Sequence, residues 1–195
     1  MGAMGGLGIF AIVVLVIMVG LVLWAIGVYN GLVRKRVDCD NGFSQIDVQL
    51  KRRHDLIPNI VETVKGYATH EKETLEGVIT ARNKAVGVTS DAAHAGEVGA
   101  AEGMLTQALG KMFALAEAYP DLKANTNFLQ LQEELGSTEN KIGFARQHFN
   151  DTVGRYEQSR QVFPASVVAG VFNFDKREYF EIEDAGVREA PKVSF

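Results

Sequence analysis

The sequence predicts an all-α protein: an antiparallel up-down bundle of three long helices plus a short C-terminal helix, preceded by one N-terminal transmembrane helix. Three observations carry this. Residues 7–28 form an uncharged apolar run. Beyond it, apolar residues recur in steps of three and four through three long stretches, the spacing of one helix face. The stretches are joined by short connections, which favour antiparallel neighbours.

The apolar run, LGIFAIVVLVIMVGLVLWAIGV, covers about 22 residues. As a helix it rises roughly 33 Å, enough to cross the hydrocarbon core of a bilayer. A cleavable signal peptide would need basic residues before a shorter apolar core and a small-x-small cleavage site. MGAMGG carries no Lys or Arg, so an uncleaved anchor is the better reading. Trp24 and Tyr29 suit the interfacial belt at its exit, where Arg34, Lys35 and Arg36 follow and can contact lipid headgroups. The positive-inside rule therefore puts the body in the cytoplasm and the chain in the cell (inner) membrane. Gly27 and Gly31 match GxxxG, but a flexible exit from the membrane explains them as well. Myristoylation is rejected because Gly6 stands where Ser or Thr is required. The domain plan is a short tail over 1–6, the anchor over 7–28, a helical bundle over 29–180 and a mobile acidic tail over 181–195.

The first body helix is expected to start near Tyr29 or Asp40 and run to about Ala85. Its stripe is Phe43, Ile46, Leu50, Ile57, Val61, Val64, Ala68, Leu75 and Val78, with a heavily charged opposite face. Asn41-Gly42 is a candidate bend, since glycine costs about 1 kcal/mol inside a helix. Pro58 lacks an N–H and should kink the helix without ending it, because the stripe keeps phase across it. Gly87 to Asp91 reads as a turn, with Ser90 or Asp91 capping the next helix. That helix carries Val98, Ala101, Leu105, Ala108, Met112, Leu115 and Tyr119, and Pro120 stops it. After the connection Asp121 to Asn125, Asn127 and Gln130 resemble a capping box. The third helix carries Phe128, Leu131, Leu135, Ile142, Ala145, Phe149 and Tyr156 and ends near Arg160. Pro164 opens a brief helix that packs on the open side of the bundle; an interfacial segment dipping into the bilayer over 167–174 is the alternative.

Chemistry is sparse in this pattern. His54, His70, His94 and His148 have no partner at metal-ligand spacing such as HExxH, and solvated or capping roles are expected. No GxSxG, Walker or dinucleotide glycine motif occurs. Cys39, the single cysteine, lies between Asp38 and Asp40, which disfavour a thiolate. The formal net charge of −4 with mixed signs disfavours nucleic acid as a partner. Lys51-Arg52-Arg53 reads as a solvated face paired with Asp47, Asp55 or acids of the third helix. Arg53 also falls on the apolar stripe, so it must pair inside, with Glu139, Glu133 or Asn140 as candidates. Arg53, Arg82, Asn140 and Arg146 are thus expected to form an internal polar network that fixes helix register. No catalytic residue, cofactor or metal site is expected.

YNGLVRKRVD, SQIDVQLKRRHDLIPNIVETVKGYATHE with Ala81-Arg82, YPDLKAN, FLQLQEEL, TENKI with Arg146, and FPASVVAGVFNF resemble the LemA family of bacterial membrane proteins, in order along nearly the whole chain. Gly42-Phe43 stands where the family has an Ala-Trp-type pair. The resemblance implies one N-terminal transmembrane helix and a helical bundle, no established molecular function and no catalytic residues. It also implies a periplasmic or extracytoplasmic body as the alternative topology. The expected function is a membrane-anchored interaction or scaffold module at the bacterial membrane, whose partners are the bilayer and other membrane or envelope proteins, or a second copy. Membrane remodelling or lipid sensing is the alternative, and a cryptic hydrolase the third.

Overall fold

The structure, a computed structural model, describes residues 2–181, with side chains from residue 8 onward. Six helices make it up: α1 (Gly2–Lys65), α2 (Lys72–Gly87), α3 (Ala95–Ala116), α4 (Pro120–Lys123), α5 (Thr126–Gln161) and α6 (Ala165–Val171). No strand occurs among the described residues, so the all-α class holds. The expected tail beyond Glu181 lies outside the described residues. The chain divides into two compact units. One holds residues up to Cys39 with Thr152–Lys176; the other holds Asp40–Asp151 and the chain from Arg177.

In the first unit α1 is helical from Gly2 onward. Its apolar stretch is bare of protein contacts: Phe10 is 69 % exposed and Leu23 64 %. This is the only helix among the described residues long and apolar enough to cross a membrane, and a helix apolar all round with no protein over it fits a membrane anchor. Beyond Val28 the helix gains company. Tyr29 meets the edges of Phe172 and Phe174, with ring centroids 4.9 and 5.5 Å away. Lys35 donates to Ser159 Oγ, and the Tyr156 hydroxyl donates to the Asp175 carbonyl at 2.8 Å. α6 ends in a left-handed residue, Asn173 at φ 53°. Phe174 N–H returns to the Ala169 carbonyl at 2.9 Å and Asn173 N–H to Gly170 at 3.4 Å. That is a Schellman closure with asparagine in the place usually held by glycine.

The second unit is built from two helical hairpins. The whole stripe expected for the first body helix is buried, yet that helix is two helices. α1 ends at Lys65, and a turn over 66–71 returns the chain as α2. Ala68 to Leu75 is a step of seven, so the stripe keeps helical phase through the turn and periodicity hides it. Gly66, poor in helix propensity, marks the break. Asn41-Gly42, by contrast, does not interrupt α1; Gly42 sits on the buried face beside Phe43. Phe43 packs edge-on against Phe149 at 5.5 Å.

α3 begins later than expected, at Ala95. Asp91 is not its cap but closes the preceding turn, accepting from the N–H groups of Ala93 and His94 at 2.8 and 3.0 Å. Nor does Pro120 merely stop a helix: α3 ends at Ala116, and Pro120 opens α4, where its missing N–H costs nothing. The cap of α5 is Asn125 rather than Asn127, its side-chain oxygen accepting from Phe128 N–H at 3.0 Å. Both hairpin turns share one end of this unit. Tyr119 donates to Glu71 at 3.3 Å, and Asn125 donates to the Tyr67 hydroxyl at 2.9 Å.

Candidate functional site

Four helices of the second unit converge on one buried polar cluster. Arg53, three residues after Leu50 and four before Ile57, must face inward with the stripe, and its side chain is 4 % exposed. Its guanidinium donates to Glu102 Oε2 at 3.3 Å, to Thr106 Oγ1 at 2.8 Å and to Glu139 Oε2 at 3.0 Å. Glu102 is the deepest member, with a side chain 1 % exposed; its other oxygen lies 2.6 Å from His54 Nε2. Helix α1 therefore supplies two donors, α3 the central acid and a hydroxyl, and α5 a second acid at the rim, 44 % exposed. Each buried charge has a partner within hydrogen-bond reach, the condition on which such a group is tolerated inside a helical core.

Arg82 enters from α2 by a different route. Pro58 has no N–H to give to the carbonyl four residues before it, that of His54. Arg82 Nε supplies the missing donor, at 2.9 Å from the His54 oxygen, and also reaches Asn83 Oδ1 at 3.2 Å. The proline, the histidine carbonyl and the arginine form a single device that ties α2 to a carbonyl of α1 that Pro58 leaves without its helical donor.

The structure thus brings Arg53 and Arg82 to one region, with Glu139 as a partner. Asn140 is exposed and Arg146 half-buried, and neither joins the bonds around Arg53. Sequence reasoning missed Glu102, although it lies four residues after Val98 and three before Leu105, on the apolar face. It also misplaced His54, expected at the surface and in fact buried against Glu102. The rest of the basic cluster is superficial, with Lys51 to Asp47 at 2.6 Å and Arg52 to Glu134 at 3.6 Å. Burial alone would raise the Asp47 carboxyl; hydrogen bonds from Lys51 and Ser90, with the Lys51 and His54 charges, outweigh it and hold the group below its ordinary value.

Two further features complete the second unit. An open groove of about 590 Å³ runs along Ser44, Gln45, Val48, Gln49, Lys141, Phe144 and Ala145, where Phe144 is 75 % exposed. The chain from Arg177 to Glu181 lies as a strap: Arg177 meets Asp40 at 3.0 Å, and Asn150 holds both backbone groups of Phe180, at 2.9 and 3.2 Å. Among the described residues no group of three or more His, Cys, Asp or Glu is placed to hold a metal ion.

In the first unit the three basic residues after the anchor do different things. Arg34 is exposed and donates back to the Asn30 carbonyl at 3.3 Å. Lys35 is engaged by Ser159, and the Arg36 guanidinium stands 5.5 Å from the centre of the Phe174 ring.

An apolar helix of membrane-crossing length running on into an all-α body, with a charged cluster locking that body's helices, defines a membrane-associated helical protein. The chain belongs to the LemA family, whose model matches residues 42–195. It is similar to the magnetosome protein MamQ of Magnetospirillum gryphiswaldense, with 23 % identity over 184 residues, covering 81 % of this chain and 66 % of the relative. Magnetosome protein MamQ 1 of Paramagnetospirillum magneticum is 24 % identical over 181 residues, with the same coverage of 81 % and 66 %. Protein LemA of Metamycoplasma hominis is 27 % identical over 144 residues, covering 74 % of this chain and 64 % of the relative. The chain therefore spans about two thirds of the length of these curated relatives.

Proposed function

We propose that the chain is a single-pass membrane protein whose helical body serves as a non-catalytic interaction module for another membrane or envelope protein. The observation that carries this is α1, one helix that begins in the apolar stretch and supplies the first body residues as well. The buried cluster supports a structural role for the charges: Arg53 and Glu102 spend their hydrogen bonds on each other and on neighbouring helices. The groove beside Phe144 is the docking face, and Arg34, Lys35 and Arg36 orient the body toward the cytoplasm. The test is site-specific photocrosslinking in intact cells from position 144, with a second probe at the exposed Leu129. A discrete adduct from 144 that is absent from 129 supports the reading, whether the captured chain is a different protein or a second copy. No adduct from either position contradicts it.

A further inference from the structure

We propose that the chain holds a second membrane contact beside its anchor, formed by α6 and the corner that precedes it, with the bilayer interface itself as the occupant. This rests on the anchor reading and extends it. Residues 162–174, VFPASVVAGVFNF, contain no charge. α6 uses one apolar face inside the protein, where Val168 and Ala169 are buried at 6 % and 4 %. Its other face is apolar as well and bare: Val167 is 57 % exposed and Val171 68 %, with Phe163 at 78 % just before the helix. Positions 167 and 171 are spaced by four within α6 and share one exposed face, an apolar ridge, and Phe163 is exposed in the turn that leads into it. A short helix apolar on both faces belongs in a core or in lipid, and only half of this one has found a core.

Its place in the first unit identifies the other half's solvent. Phe172 rests on Tyr29, ring centroids 4.9 Å apart, and Tyr29 is the residue that follows the apolar run. The chain after Ser159, which meets Lys35, thus comes back to Tyr29, six residues nearer the lipid and about 9 Å along the helix. The exposed ridge is therefore continuous with the apolar surface of the anchor at the level where it leaves the hydrocarbon. Arg34 and Arg36, both exposed, stand one to two turns further out, at the height of anionic headgroups. This arrangement, an apolar ridge at the acyl boundary with cations above it, is that of an interfacial element. A second protein covering the ridge would have to displace lipid from a surface already at the bilayer.

The test uses the full chain reconstituted in vesicles of three parts phosphatidylcholine to one part phosphatidylglycerol. Cys39→Ala removes the native thiol, and Val167→Cys, Phe163→Cys or Phe144→Cys takes an environment-sensitive fluorophore. Each variant is checked for unchanged helical circular dichroism. Phosphatidylcholine brominated near the top of its acyl chains is the quencher, and Trp24, the single tryptophan, reports the anchor independently. The expected result is at least about two-fold quenching at 163 and 167, as for a side chain buried in the headgroup/acyl boundary, none at 144, and quenching of Trp24. Quenching of Trp24 without quenching at 163 and 167 overturns the second contact and leaves the anchor standing. A blue-shifted but unquenched probe at 167 means that protein covers the ridge, and equal quenching at 144 means adsorption; either overturns it. An unquenched Trp24 removes the anchor and this proposal together.

Discussion

Removing the central acid of the buried cluster is the sharpest perturbation of the fold. In Glu102→Ala, Arg53 keeps its charge at 4 % side-chain exposure, with only Thr106 and the half-exposed Glu139 to satisfy it. His54 loses its 2.6 Å partner in the same step. Breaking a buried pair from one side costs about 3–5 kcal/mol. The Arg53→Met/Glu102→Leu double variant removes both charges and keeps most of the volume. Its cost should fall below about 2 kcal/mol, because no uncompensated charge remains and Glu139 can turn to water. Against its own singles, Arg53→Met and Glu102→Leu, the double variant is therefore expected to show a coupling of at least about 2 kcal/mol. Urea denaturation of the full chain in detergent, followed by circular dichroism, measures this, with the slope m required to stay constant across the set. If Glu102→Ala costs less than about 1 kcal/mol, or the double variant costs the sum of the singles, the cluster does not lock the helices.

Other consequences can be checked in the same system. Arg82→Met leaves the His54 carbonyl without its donor and should cost about 1–3 kcal/mol; in a Pro58→Ala background, where residue 58 regains an N–H, the cost should shrink, and an equal cost in both backgrounds rejects the pairing. A methyl group at Gly99 would sit 2.3 Å from the backbone oxygen of Glu181. Gly99→Ala should therefore lift the strap, seen as faster amide exchange at Phe180 and a loss of about 1–3 kcal/mol, whereas unchanged exchange contradicts the close approach. The folded-state pKa of Asp47 lies below its ordinary 3.8, so its contribution to stability is present above that value and lost as pH falls through the folded pKa. Wild type should exceed Asp47→Asn in stability near neutral pH and converge with it in acid; parallel curves refute the assignment.

Periodicity carried most of the architecture because burial selects it directly: each apolar residue of the expected first stripe, from Phe43 to Val78, lies in a core. It failed at residues 66–71 for a physical reason. A turn that joins two antiparallel helices packed on one core can preserve the phase of the stripe, leaving only Gly66 to betray it. Caps were legible as residue types but not as positions, since Asn125 and Asn127 offer the same chemistry two residues apart. Arg53 was readable as an inward charge from its spacing alone. Glu102 carries the same spacing signal on the α3 stripe, but that the two meet is tertiary and emerges only once α3 is placed against α1. The pairing of Arg82 with the His54 carbonyl is likewise tertiary, although the missing donor at Pro58 announced that some group had to supply it.

The account depends first on α1 being a retained, lipid-embedded helix continuous with the body. Alkaline-carbonate extraction of membranes carrying the full chain, followed by intact mass of the protein that stays in the pellet, tests this in one step. The prediction is a carbonate-resistant protein that still contains residues 7–28. A chain released into the supernatant, or a pelleted chain shortened by the loss of those residues, contradicts it.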